Sequence, residues 1–173
     1  MSPQLGTVSR EPYRVGVSNS TADLCDQRPD DVSVVEPIFS SYGRVAFQGR
    51  IATVQVHEDN VLIRATLEEP GQGRVLVVDG GGSLRCALLG GQLATLAEAN
   101  GWSGIVVHGC IRDARALAEV SIGIRALAAN PRRSGKRGEG ERDVAVHFAG
   151  VTFRPGQHLV ADDDGIIVLA RPV

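Results

Sequence analysis

The chain has 173 residues, 43% of them hydrophobic but only 4% aromatic, with 21 glycines, which suits one domain with a Val/Leu/Ile/Ala core between tight turns. A formal net charge of −2 gives no electrostatic case for direct nucleic-acid binding or an anionic membrane surface, and no window approaches the roughly 20 apolar residues of a membrane span. The N-terminus lacks the apolar core of a signal peptide. Cys25, Cys86 and Cys110 are widely spaced, without a CxxC, and suit reduced thiols in a cytoplasmic protein.

Residues 1–20 carry neither a helical nor a strand period and read as a flexible extension, with a single domain over 21–173. Thr21 is placed to cap a short helix through Leu24. Asp30-Asp31 turns the chain into VSVVEPIFSSYG, where Pro37 blocks a long regular element. From Arg44 to His57 a loose alternation (Val45, Phe47, Ile51, Val54, Val56) interrupted by Gly49 predicts one bent strand or a hairpin. Asp59-Asn60 is a helix-start signal, followed by Leu62, Ala65 and Thr66 and closed by Pro70-Gly71. That helix is assigned to packing and given no chemistry.

The stretch RVLVVDGGGSLRCALLGGQLATLAEANGWSGIVVHGCIRD, Arg74 to Asp113, is the most informative. Val75–Val78 and Ile105–Val107 are short apolar runs rich in β-branched residues, as strands buried on both faces read. Between them a helix presents Leu93, Leu96, Ala97 and Asn100 on one face and stops at Gly101. It opens on Gly90-Gly91, where bare amides and the positive dipole end make a site for an anion. A strand–helix–strand crossover brings the loop entering the helix and the loop leaving the second strand to one sheet edge. Gly90, Gly91, Gln92 and Leu93 are therefore expected to face Arg112 and Asp113 across a small gap, the candidate active site. Cys86 and Cys110, inside apolar runs, read as small core residues, and His108 is placed beside the site at a strand end.

Further on, Ala114–Val120 predicts a short helix whose first turn includes Asp113, and Ile122–Ala128 a strand. The segment NPRRSGKRGEGER, Asn130–Arg142, reads as a mobile loop. Its Arg132, Arg133, Lys136 and Arg137 are offset by Glu139, Glu141 and Asp143, the pattern of a solvated loop. The chain closes with strands at Val144–Phe148, Val151–Phe153, His158–Ala161 and Ile166–Leu169, with later turns at Pro155-Gly156 and Asp163-Asp164-Gly165. Asp162-Asp163-Asp164 lacks the alternating ligands of a calcium loop and reads as a turn.

The segments VVEPIFSSYG, FQGRIATVQVHEDN, GRVLVVDGGGSLRCALLGGQLATLA, GWSGIVVHGCIRD, IGIRALAANPRRS and GEGERDVAVHFAGVTFRPGQHLVADDDGIIVL resemble the regulator of ribonuclease activity A (RraA) family, from about Thr21 to Leu169. That family includes class II 4-hydroxy-4-methyl-2-oxoglutarate/4-carboxy-4-hydroxy-2-oxoadipate aldolases. The resemblance implies an α/β fold, a three-layer ββα sandwich similar to the swivelling phosphohistidine domain, assembled as a homotrimer. The motif shared by the family's lyases is a Gly-rich helix start, twenty intervening residues, then Arg-Asp; here Gly91 and Arg112 enclose Gln92 to Ile111.

By that resemblance a small 2-oxo acid would lay its carboxylate on the amides of Gly90, Gly91, Gln92 and Leu93, with Arg112 forking onto the carboxylate or keto oxygen. Asp113 would hold Mg²⁺ or Mn²⁺ largely through waters, and the metal and Arg112 would stabilise a pyruvate enolate. Retro-aldol cleavage and oxaloacetate decarboxylation share that enolate. Family aldolases often carry an acid where this chain has Gly91, and another where it has Ala116; Glu119 lies one helical turn further on. Those two positions favour the alternative, a non-catalytic regulator that binds and inhibits ribonuclease E. A third name in the family is a menaquinone methyltransferase. VLVVDGGGS resembles a loop for S-adenosylmethionine, but IVVHG offers a histidine where such folds grip the ribose with an acid.

Overall fold

The computed structural model describes residues 19–172. The first eighteen residues, and with them most of the expected N-terminal extension, lie outside that range. The described chain opens on α1 (Thr21–Gln27), whose cap is Ser20 and not Thr21: Ser20 and Asp23 form a reciprocal capping box. Thr21 bonds instead across the fold, its amide and hydroxyl both donating to the Asp162 carboxylate at 2.7 Å. Pro37 separates two short strands, β1 (Val32–Val34) and β2 (Ser40–Ser41). The bent strand or hairpin expected over 44–57 is one continuous strand, β3 (Phe47–Gln55).

α2 (Val61–Leu67) ends three residues before Pro70. Its first amide is held by Asp59, whose Oδ1 accepts from Val61 N–H at 2.9 Å, while Asn60 makes no capping bond. β4 (Val75–Asp79) is buried throughout, as its unbroken apolar run predicts. A strand then intervenes that the sequence reading lacked: β5 (Ala87–Leu89), which leads into α3 (Gly91–Ala99). On α3 Leu93, Ala94 and Ala97 are buried and Leu96 only partly so, a face rotated slightly from the expected one. Gly101, at φ +79°, closes it. The chain continues through β6 (Gly104–Ile111), α4 (Ala114–Leu117), β7 (Gly123–Ala129), β8 (Glu141–Arg142), β9 (Val146–Phe148), β10 (Val151–Phe153), β11 (His158–Ala161) and β12 (Ile166–Leu169).

β3, β4, β6 and β7 are parallel neighbours in that order, and β5 pairs with the far end of β6. Beyond β3 the sheet continues antiparallel through β11, β12 and β1. The helices cover one face: Ile63, Leu67, Leu93 and Ala97 pack with Leu76, Val78, Ile105 and Val107. The other face buries Phe47, Val75, Val77 and Val106 against Phe148 and Phe153 of the β9–β10 ribbon and Leu159 and Val168 of β11 and β12. Helix layer, parallel sheet and second β layer give the three-layer ββα sandwich. Phe47 lies so close over Gly104 and Gly123 that a Cβ at either position would overlap its ring. Burying a large apolar face on both sides of one sheet is the main source of stability here. No helix among the described residues is long and apolar enough to cross a membrane.

The segment 130–142, expected to be a mobile loop, is tied down by backbone bonds. Ala87 N–H donates to Arg132 O at 2.7 Å and Gly135 N–H to Glu58 O at 2.8 Å. Asp59 Oδ2 accepts from the amides of Arg137 and Gly138. Composition gave no hint of this because, the Asp59 carboxylate apart, the partners are main-chain groups that any sequence carries.

Candidate functional site

The extra strand sets the geometry. β5 runs beside the end of β6, with Leu89 opposite Ile111, so the residues that follow each strand emerge side by side. Arg112 N–H donates to Leu89 O at 2.9 Å, and Gly91 N–H donates to Asp113 Oδ2 at 3.1 Å. A Cβ on Gly90 would sit 2.9 Å from Asp113 Oδ2 and 3.3 Å from Arg112 Cγ. The helix start and the Arg-Asp pair therefore meet as the spacing predicts, at a separation that only glycine permits.

One expectation changes. The Gly91 amide is committed to Asp113, so of the four amides expected to seat an anion that one is spent, leaving Gly90 and the first-turn amides of Gln92 and Leu93. These have no intrahelical acceptor by construction and no capping side chain. Asp113 occupies the left-handed region (φ 58°, ψ 41°) as N-cap of α4, not within its first turn. That conformation turns its carboxylate back toward Gly91. The two positions where family aldolases often carry acids face each other: a Cβ on Gly91 would lie 3.2 Å from Ala116 Cβ.

Gly90, Gln92, Leu93, Arg112 and Asp113 line a cavity of about 290 Å³. The rest of its wall was not foreseen. Asn60 and Arg64 come from α2, which had been given no chemistry, and Arg133, Ser134 and Lys136 from the tethered loop. Lys136 Nζ donates to Asn60 Oδ1 at 2.7 Å. Ser134 is only 6% exposed, and its hydroxyl is buried with no partner among the described residues. Four cations (Arg64, Arg112, Arg133, Lys136) thus surround one carboxylate, Asp113. The pairing of basic residues with a helix-start Asp59-Asn60 could have been suspected only by knowing that the loop returns to α2.

His108 is not part of this cavity. Period-2 alternation along β6 puts it on the face of Val106, opposite Val107. There its ring stacks on Phe148 at 4.5 Å and its Nδ1 lies 3.4 Å from Asp79 Oδ1. Burial pushes the Asp79 carboxyl up, but bonds from His108, the Gly81 amide and Gln55 outweigh it and hold the group below the ordinary carboxylate range. Glu119, considered as a stand-in acid, is absent from the cavity wall. Cys86 and Cys110 are free and buried, and burial pushes both thiols up, as unreactive core residues require.

A divalent cation implied by the family finds one protein donor here. Among the described residues no three His, Cys, Asp or Glu side chains are grouped to hold a metal ion. Asp113 Oδ1 has no hydrogen-bond partner among them, while Oδ2 is taken by Gly91. One free carboxylate oxygen fits a cation that keeps most of its water, as Mg²⁺ does, and does not fit Zn²⁺, which wants three or four protein ligands.

The comparisons with known proteins follow this geometry. The family model RraA-like (Aldolase/RraA) matches residues 21–168. A Paraburkholderia phytofirmans protein with the provisional name 4-hydroxy-4-methyl-2-oxoglutarate aldolase is 57% identical over 158 residues, covering 88% of this chain and 96% of its own. The solved RNA-processing inhibitor RraA from Thermus thermophilus superposes with a TM-score of 0.87 at 51% identity, over 90% of this chain and 94% of that one. A Geobacillus kaustophilus structure described as an S-adenosylmethionine: 2-dimethylmenaquinone methyltransferase gives 0.88 at 48% identity, over 90% and 97%. By the family match across nearly the whole described fold, this chain belongs to the RraA-like family.

Proposed function

We propose that the chain is a divalent-metal-dependent lyase that cleaves 4-hydroxy-4-methyl-2-oxoglutarate to pyruvate and decarboxylates oxaloacetate, both through a pyruvate enolate. The observation that supports this most is the cavity's charge: four cations against one carboxylate, beside two free helix amides. Both substrates are dicarboxylates, so the site has partners for two anionic ends. The 2-oxo acid end lies on the Gln92 and Leu93 amides with Arg112 on its carboxylate or keto oxygen. The distal carboxylate is met by Arg133 and Lys136.

Asp113 holds Mg²⁺ or Mn²⁺, which when bound supplies Lewis-acid stabilisation to the developing enolate oxygen. In the aldol cleavage the C3–C4 bond breaks, its electron pair stays on the pyruvate fragment as the enolate, and the C4 hydroxyl loses its proton. In oxaloacetate the same enolate forms as CO₂ leaves, and no hydroxyl proton has to be removed. The cavity wall holds no histidine and no carboxylate besides Asp113, so we assign the proton acceptor to solvent and expect decarboxylation to be the faster reaction. The relatives carrying the aldolase name support the reading; the resemblance also implies a homotrimer.

The lack of an acid at both Gly91 and Ala116, which face each other, favours a second reading, a regulator that binds and inhibits ribonuclease E by protein–protein contact, in line with the inhibitor relative. A coupled pyruvate assay on both substrates, with Mg²⁺ and with chelator, separates the two. Chelator-sensitive pyruvate release is expected. No pyruvate from either acid, together with stoichiometric inhibition of ribonuclease E, would give the case to the regulator.

A further inference from the structure

A second cavity, of about 340 Å³, lies between the 34–39 segment and the β11–β12 turn and shares no wall residue with the first. Arg125 of β7 forms part of its wall and is only 8% exposed. Its Nη2 donates to Val45 O at 2.8 Å and Asp162 O at 2.7 Å, but its Nε is buried without an acceptor. It has no ion pair among the described residues. Asp162, whose main-chain carbonyl accepts from Arg125, spends its carboxylate on Thr21. Asp163 and Asp162 supply counter-charge only from a distance, so the guanidinium has no carboxylate in direct hydrogen-bonding contact.

The remaining wall divides into two chemistries. Val34, Pro37, Phe39 and Ile166 are apolar, with Val34 62% exposed. Glu36, Asp163 and Asp164 supply three carboxylates at the rim. A simple anion would meet Arg125 but be repelled by the rim; a simple cation would meet the rim but be repelled by Arg125. A zwitterion with an apolar body satisfies all three. We infer that this cavity binds a free apolar α-amino acid, its carboxylate on Arg125, its ammonium on the Glu36, Asp163 and Asp164 carboxylates, and its side chain against Val34, Pro37, Phe39 and Ile166. A mostly apolar wall with a few convergent charges is the usual make-up of a small-ligand site.

The test is calorimetric titration of the full chain with L-leucine and L-phenylalanine. Glycine, leucinamide and 4-methylpentanoate serve as probes lacking the side chain, the carboxylate charge and the ammonium. Saturable binding of leucine or phenylalanine is expected, with leucinamide and 4-methylpentanoate weaker by about tenfold or more, the worth of one charge-assisted hydrogen bond, and glycine weaker by about tenfold or more from the apolar burial it lacks. Arg125→Lys should weaken binding; because Arg125 also ties β7 to the β11–β12 turn, the exposed Asp163→Asn provides the arm that does not risk the fold, and a loss of about tenfold is expected there too. The inference is overturned if neither amino acid gives saturable heat, if any deletion probe binds as tightly as leucine, or if Asp163→Asn leaves the affinity unchanged.

Discussion

Asp59→Ala probes the link between the tethered loop and the candidate site. Asp59 is 3% exposed, and its carboxylate accepts three amides: Val61 at 2.9 Å, Gly138 at 3.1 Å, and Arg137. Burial pushes this carboxyl up, but the three amides outweigh it and hold the group below its ordinary value. Losing the α2 contact costs about 1 kcal/mol, as for a missing helix cap. The two loop amides recover part of their bonding from water and cost about 1 kcal/mol each, so the variant should lose ~3 kcal/mol in urea unfolding. The sign with pH follows: a lowered native pKa stabilises above the unfolded value and is lost as pH falls through the native one. The gap between wild type and variant should therefore close in acid. Arg133 and Ser134 stay held between Arg132 O and Gly135 N–H, while Lys136 lies between Gly135 and the anchor at Asp59, so releasing the Asp59 end should loosen Lys136 and raise KM about tenfold, the worth of ~1.4 kcal/mol. Because Arg112, Asp113 and the α3 amides are untouched, kcat should hold. Stability within about 0.5 kcal/mol of wild type, or kcat falling while KM stays, would refute the reasoning.

Gly90→Ala crowds the candidate site. At φ −138° the backbone accepts alanine, but the Cβ would sit 2.9 Å from Asp113 Oδ2 and force that side chain to shift, so stability should fall by about 1 kcal/mol. The new Cβ would press on Asp113 and Arg112, and pyruvate release should fall, read by thermal unfolding beside the coupled assay. Arg112→Lys keeps charge but loses the planar fork, and a fall in kcat/KM of about tenfold or more without loss of stability is expected. His158 has both ring nitrogens buried without partners, and burial pushes its pKa below the ordinary value. Its neutral form therefore stabilises the fold above the unfolded pKa of about 6.5, and that stability is lost as pH falls below it. His158→Leu should lose less Tm than wild type between about pH 7.5 and 5.5; an equal loss would contradict the assignment.

The parts of this molecule that were legible in the sequence are those where burial dictates residue type. Val75–Val78 and Ile105–Val107 announce strands covered on both faces, and Gly101 ends α3 because its positive φ suits glycine. That Gly90 meets Arg112 and Asp113 followed from crossover topology, although the strand that sets the geometry, β5, was not foreseen. β5 escaped because Ala87–Leu89 is three residues long and merges with the helix pattern after it. The role of residues 133–136 escaped because main-chain bonds, invisible in composition, hold that loop against α2. His108 was misplaced although a signal existed: strict alternation from Val106 carries it to the face away from the helices.

The most direct measurement is a crystal structure with Mg²⁺ and oxalate, a planar mimic of the pyruvate enolate. One oxalate carboxylate should lie on the Gln92 and Leu93 amides with Arg112 alongside, and the cation on Asp113. Oxalate held only by Arg133 and Lys136, away from those amides, or none in the cavity at a saturating concentration, would contradict the site.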